Sequence, residues 1–225
     1  MEVGETDTVG HVVQSLGIPL TEVGELLLDA HPLDRATRRT TPVGEGEVLQ
    51  VGPRDRPQPH DGRFLLDVHL AALARRMRLL GLDVAYEPDA DDGRLARWAA
   101  SEHRVLLTRD RGLLLRALVP DGALLMHDDV TDQLEDVLDR FRPSLAPWTR
   151  CLVCGSGLSA VTPEEVAGEL QPGTVRTYRK FSRCTGCGRV YWRGAHSRRL
   201  EAIVAQAESR PAASPPQMLR RRSVD

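Results

Sequence analysis

Arg-Phe-Leu-Leu-Asp-Val-His-Leu at 63–70 and Arg-Val-Leu-Leu-Thr-Arg-Asp at 104–110 are short apolar runs that each stop on an aspartate. Phe64-Leu65-Leu66 and Val105-Leu106-Leu107 are too short and too uniformly apolar for surface strands. They read as strands buried on both faces, the parallel-sheet kind. In an open parallel sheet, ligands sit at the carboxyl ends of the strands, where the strand order reverses. Asp67 and Asp110 fall at such ends. Asp91 and Asp92, at the start of the helix between, are the natural third contributor.

Outward from these two strands, residues 63–149 alternate. Strands are expected at 63–67, 83–86, 104–108 and 123–126, and helices at 69–80, 91–102, 113–118 and 131–141. The first helix has Leu70, Leu73, Ala74, Met77 and Leu80 at helical spacing and ends at Gly81. Short connections in a β-α-β-α string predict a three-layer α/β fold with right-handed crossovers. The strands ending at Asp67 and Asp110 would then be neighbours flanking the switch point.

Upstream, residues 1–53 read as a helix over 9–16, stopped at Gly17, followed by strands at 25–28 and 47–51 with a turn at 29–32. This order, ending in GEGEVLQVGP, resembles the ubiquitin-like sulfur-carrier fold. The usual opening hairpin is absent, since 8 residues precede the helix, which suits a start placed too late. Pro53-Arg54-Asp55 stands where a carrier has Gly-Gly, so a structural or interaction module, with a protein partner, is expected. Residues 52–62, GPRDRPQPHDG, hold three prolines and two glycines and read as a linker that leaves the two units separable.

The chain has 225 residues, 41% hydrophobic and 28% charged, a soluble globular balance. No apolar run approaches the ~20 residues of a membrane span. The first residues are acidic rather than a signal sequence, so a cytoplasmic protein without membrane contact is expected. Of 30 basic residues only Lys180 is lysine. Residues 1–60 carry 5 basic and 10 acidic side chains, residues 61–149 carry 12 and 16, and residues 150–225 carry 13 and 6. An acidic middle beside a basic end suits a cation site next to a surface for polyanions, although a solvated charged surface gives the same counts.

All four cysteines lie in 150–195, as Cys151-Leu-Val-Cys154-Gly and Cys184-Thr-Gly-Cys187-Gly with 29 residues between the pairs. Two CxxC pairs at this spacing point to zinc, and four thiolates close a tetrahedral site, so the metal is structural. Disulfides are disfavoured by a reducing compartment, and a redox CxxC by the duplication. Val175-Arg-Thr-Tyr-Arg-Lys-Phe and Val190-Tyr191-Trp192-Arg193 interleave basic and aromatic residues. They can grip phosphate and stack bases, or Tyr191 and Trp192 can pack the ribbon onto the α/β domain. A short apolar helix follows Arg198-Arg199, and 201–225 reads as a disordered tail.

Clustered aspartates stay ionised cheaply only with a cation among them, and oxygen ligands suit Mg²⁺ or Mn²⁺. Asp67, Asp92 and Asp110 are the primary ligand candidates, with Asp91 and Asp128 as alternates. Each could instead simply cap the helix that follows.

The blocks FLLDVHLAALARRMRLLGLDVAY, DDGRLARWA, HRVLLTRDRGLL, DQLEDVLDRF, RCLVCGSGL and FSRCTGCGRVYWRGAH resemble a known family. It is the PIN-like ribonuclease domain first named from the C-terminal region of the MUT-7 exonuclease, and the resemblance covers 63–200. Bacterial members are similar in carrying a ubiquitin-like N-terminal module. The resemblance implies a PIN-like nuclease fold over 63–149, a Mg²⁺ or Mn²⁺ site of aspartates and a zinc ribbon over 150–200. By position, Asp67 and Asp110 match the family's acids and Asp92 its helix acid. A second acid often found nearby is Arg94 here, which leaves open whether one or two metals bind. Arg75, Arg78, Arg109 and Arg111 flank the pocket as candidates for RNA phosphates, a solvated helix face being the alternative for Arg75 and Arg78. The expected function is a metal-dependent ribonuclease with RNA as partner. The alternative is a non-catalytic RNA-binding or adaptor protein whose ribbon does the binding.

Overall fold

The structure is a computed structural model and describes residues 7–194 and 197–210. In the N-terminal module, α1 (Val9–Ser15) is capped by the Thr8 hydroxyl, which accepts from the His11 N–H at 3.3 Å. It lays Val9, Val12 and Val13 on an antiparallel sheet of β1 (Val23–Leu28), β2 (His31–Pro32) and β3 (Leu49–Pro53). The expected turn at 29–32 is tighter than the sequence suggested. Asp29 and Ala30 adopt positive φ, and His31 and Pro32 already pair back onto β1. A bulge lies between Val23 and Leu26, where a Cβ on Gly24 would sit 2.0 Å from the Pro53 carbonyl oxygen. Only glycine fits that approach.

The central domain is a parallel four-stranded sheet of β4 (Arg63–Leu66), β5 (Asp83–Tyr86), β6 (Val105–Thr108) and β7 (Gly122–Leu124), in the order β5-β4-β6-β7. Strand residues alternate between faces. Phe64, Leu66, Val105 and Leu107 enter one apolar layer, with residues of α2 (Ala71–Leu79) and α5 (Val130–Phe141). Leu65 and Leu106 enter the opposite layer, under α3 (Asp92–Glu102) and α4 (Arg111–Leu115). The helix expected at 113–118 thus starts earlier and ends at Leu115, because Arg116 is already extended ahead of Pro120. The chain leaves β4 for β5 on one side and then crosses to β6 on the other. The switch point therefore lies between β4 and β6, with Asp67 and Asp110 beyond their carboxyl ends.

Both edges of this sheet are closed by side chains rather than by strands. On β7, Glu22 Oε1 accepts the Leu124 N–H at 2.6 Å and Arg140 Nη1 donates to the Leu124 carbonyl at 3.1 Å. Arg140 Nη2 joins Glu22 Oε2 at 2.5 Å, so one ion pair stands in for a neighbouring strand. On β5, Arg78 donates twice to the Val84 carbonyl. An open edge invites intermolecular pairing, and both devices prevent it.

Residues 52–62 are not the free linker that their prolines suggest. Arg54 pairs with Asp121 and donates to the Thr21 carbonyl, and Arg56 pairs with Asp136 and Asp139 of α5. Gln58 is buried, its N–H donating to the Arg140 carbonyl at 2.6 Å. The His60 ring packs on Phe64 and Phe141. Proline rules out helix and interior strand but not tertiary contacts, and these arginines find carboxylates on the central domain.

The ribbon is an antiparallel sheet, β10-β9-β8, of β8 (Leu158–Val161), β9 (Phe181–Cys184) and β10 (Val190–Trp192). Two short helices, α6 (Pro163–Val166) and α7 (Pro172–Thr177), fill the span from β8 to β9. The disordered tail expected from residue 201 begins with structure instead. Helix α8 (Arg198–Glu208) buries Val204 and Ala207 in the main core, with Leu200 and Ile203 packed beside them. The apolar stripe at 200, 203, 204 and 207 explains this docking. Residues 211–225 of the expected tail, and the last two residues of the YWRGAH block, lie outside the described residues. No helix among the described residues is long and apolar enough to cross a membrane.

Candidate active site and metal centre

Asp67 directly follows β4, and its N–H donates to the Leu107 carbonyl at 3.0 Å, extending the ladder with β6. Its side chain is held at 5% exposure. Thr108, the last residue of β6, is fully buried. Its hydroxyl donates to Asp67 Oδ2 at 2.6 Å and accepts from the Asp110 N–H at 2.9 Å. One hydroxyl therefore ties the first aspartate to the backbone of the second. Asp110 is the N-cap of α4, with Oδ1 accepting from Gly112 N–H at 2.7 Å.

The other candidates are engaged elsewhere. Asp92 opens α3 and its Oδ2 accepts from Arg116 Nη2 at 3.1 Å, both side chains being about half exposed. Asp91 caps α3 by accepting the Arg94 N–H at 2.8 Å, and that bond holds its carboxyl below the usual range. Asp128 is exposed and pairs with Arg109. Among the described residues, Asp67, Asp92 and Asp110 do not converge as the cysteines do, into a set with ligand atoms within 4.8 Å of one another. Asp67 nonetheless has no ion-pair partner among the described residues. A buried carboxylate left without a cation is costly. Mg²⁺ is bound through one or two carboxylates and keeps several waters, so the Asp67–Asp110 pair suits such an ion without a closed protein cage.

Among the arginines expected on RNA, Arg75 and Arg111 are exposed and Arg109 is half-exposed against Asp128. Arg78 is a correction. It is 3% exposed and points inward. Its Nε and Nη2 donate to the Val84 carbonyl at 3.1 and 3.0 Å, and its Nη1 donates to the Val153 carbonyl at 2.7 Å. Burial lowers its pKa, opposed first by the charges of Cys154 and Cys151. Helix spacing alone put Arg78 on the same face as Arg75, and the ribbon docked over that turn decides otherwise.

The four cysteine sulfurs can hold a zinc-like ion. Cys154 and Cys184 sulfurs are 3.4 Å apart, and those of Cys151 and Cys187 are 3.7 Å apart. Tetrahedral Zn–S bonds of ~2.3 Å require sulfur separations of ~3.8 Å, so the set is nearly preformed. Gly155 and Gly188, one past each pair, have φ of 81° and 75°, the left-handed turn that each knuckle needs. Cys184 accepts from the Gly186 and Cys187 N–H groups, both at 3.4 Å. The Ser156 hydroxyl draws the Cys154 thiol down to about 6, the largest of several hydrogen bonds acting there. Tyr191 and Trp192, expected either to stack bases or to pack the ribbon onto the α/β domain, divide. The Tyr191 hydroxyl lies 3.1 Å from the Cys151 sulfur, while Trp192 is 40% exposed.

Thr108, Arg116 and Glu22 went unread in the sequence. For Thr108 the signal was present, a hydroxyl ending a buried strand two residues before Asp110. Arg116 and Glu22 act across 24 and 102 residues, beyond any local pattern.

Residues 62–204 match the family model described as the Mut7-C RNAse domain, and residues 1–59 match that described as Mut7-C ubiquitin. No match is found among curated proteins or among solved structures.

Proposed function

The chain belongs to the Mut7-C RNAse domain family, and on that premise we propose that it is a metal-dependent ribonuclease hydrolysing RNA phosphodiester bonds at the β4/β6 switch point. The observation that carries this reading is Asp67, a buried carboxylate at the end of a central strand, with no ion-pair partner among the described residues and tied through Thr108 to Asp110. Asp67 and Asp110 are the residues that would hold Mg²⁺ or Mn²⁺, with Asp92 as the third acid. Such an ion supplies Lewis-acid stabilisation of phosphoryl oxygens and a lowered pKa for water.

The protein's own contributions follow from the geometry. Thr108 fixes the orientation of the Asp67 carboxylate, leaving Oδ1 for the ion. The Arg116–Asp92 pair is half exposed, so exchanging its partners requires little free energy. Arg116 can turn to a substrate phosphate as Asp92 turns to the ion. Arg75, Arg109 and Arg111 supply further phosphate contacts that position rather than specify. The zinc ribbon is structural, and its four thiols suit a reducing compartment such as the cytoplasm. The N-terminal module serves as a docked structural unit whose outer face can take a protein partner.

The alternative of a non-catalytic RNA-binding or adaptor protein draws support from the protein partner that each carboxylate already has. A Mn²⁺-dependent cleavage assay on tRNA, rRNA and unstructured RNA decides, with Asp67→Asn as control. Cleavage lost in the control supports the nuclease, and no cleavage by the wild type with any divalent ion supports the adaptor.

A further inference from the structure

Residues 170–200 contain eight basic side chains and no acidic one. Among the described residues only Arg183 of this set has an ion pair, with Glu169. The antiparallel register places Trp192 opposite Phe181, so Arg179 and Lys180, just before β9, meet Trp192 and Arg193 at one end of the hairpin. All four are exposed. The Tyr178 hydroxyl and the Trp192 indole both lie within 3.3 Å of where a Cβ on Gly194 would sit. The Arg193 guanidinium stacks 4.6 Å over the Trp148 ring. Three aromatic rings and three cations thus share one end of the ribbon. Phe181 lies beneath Trp192 at 6.4 Å between ring centroids, so the exposed indole has support on its inner side.

We infer that this end of the ribbon binds single-stranded RNA outside the crevice, and that the ribbon holds the substrate that the crevice cuts. The inference rests on the nuclease reading above and extends it to substrate capture. Cations that form no ion pair among the described residues suit a polyanion, and a supported, half-exposed indole suits a base face, which an acidic protein does not offer. Helix α2 joins the two sites. It begins beside Asp67, ends where Trp148 N–H meets the Leu79 carbonyl, and spans roughly 14 Å at its nine residues. Arg75 is exposed on the turn between, one turn above the ribbon contact of Arg78.

The test uses the full zinc-loaded chain and a fluorescent unstructured RNA oligonucleotide, with binding followed by anisotropy without Mg²⁺ or Mn²⁺ across a salt series. Trp192→Ala should weaken binding about tenfold while keeping the salt slope, and Trp192→Phe should restore most of it. Arg179→Ala with Lys180→Ala should reduce the slope of log K against log salt by about 1.4, at ~0.7 per charge on a single strand. Zinc content measured on each variant shows whether the ribbon is intact, and the exposed charge pair decides if Trp192→Ala loses metal. Affinities within twofold of wild type in both variants overturn the inference. So does a polyglutamate chain that binds as tightly as RNA with the same dependence on Trp192. Cleavage with unchanged KM in both variants overturns it too, and leaves the nuclease reading standing. Patch-dependent binding by a chain that fails to cleave RNA with any divalent ion upholds this surface and removes the nuclease reading instead.

Discussion

Glu22→Ala should destabilise the central domain, although Glu22 belongs to the N-terminal module. Glu22 accepts the Leu124 N–H on the β7 edge and pairs with Arg140, whose side chain is 5% exposed. Losing the acceptor leaves an amide unpaired, at about 1–3 kcal/mol. Removing the partner of a fully buried charge costs roughly 3–5 kcal/mol. That second figure is an upper bound here. The Glu22 side chain is 24% exposed, and Asp136 stands 3.8 Å from Arg140 to take up part of its charge. The two losses together come to about 3 kcal/mol. For a chain of this size, that lowers Tm by about 6–12 °C. Glu22→Gln keeps an acceptor for Leu124 and should lose about half as much. Thermal and urea melts by circular dichroism read the effect, and Arg140→Met with and without Glu22→Ala measures the coupling. A Glu22→Ala protein within ~0.5 kcal/mol of wild type would refute the edge-closing role. Two separate transitions, with that of the central domain unshifted, would refute it equally.

Asp67→Asn and Asp110→Asn should each abolish cleavage while the chain still folds, since amide for carboxylate keeps shape but removes charge. Mn²⁺ should raise the melting temperature of the wild type and not of the double variant, because only a folded site binds the ion; equal shifts in both would place the ion elsewhere. One zinc per chain is expected by metal analysis, and Cys184→Ser should lose zinc and ribbon stability together. A chelator that removes zinc without moving the melting curve contradicts this. Arg78→Leu should speed zinc release to a chromophoric chelator, because a buried guanidinium beside the thiolates and on the Val153 carbonyl is lost. Arg78→Lys should rescue poorly, since one ammonium cannot reproduce the planar fork that joins Val84 and Val153. Wild-type release rates in both would show that the contact does not support the metal site.

The sequence by itself determined what depends on local periodicity and covalent spacing. Uniformly apolar triplets at 64–66 and 105–107 can exist only inside a sheet covered on both faces, so the parallel core and the positions of Asp67 and Asp110 followed. The cysteine spacing and the glycines after it located the four thiols that can hold a zinc-like ion in the same way, because a knuckle needs that turn. Tertiary structure alone decided where the long polar side chains go. Arg78 has the helical spacing of a surface residue, yet the ribbon covers its turn and makes it a buried link to Val153. The proline-rich stretch at 54–62 has no helix or strand to predict, yet its arginines are held by carboxylates distant in sequence. Glu22 and Arg140 close a sheet edge across 102 and 118 residues. An arginine or glutamate reaches several ångströms from its backbone and takes whatever partner the packed elements bring near. That choice is made by the juxtaposition of elements, which no local pattern in the chain records.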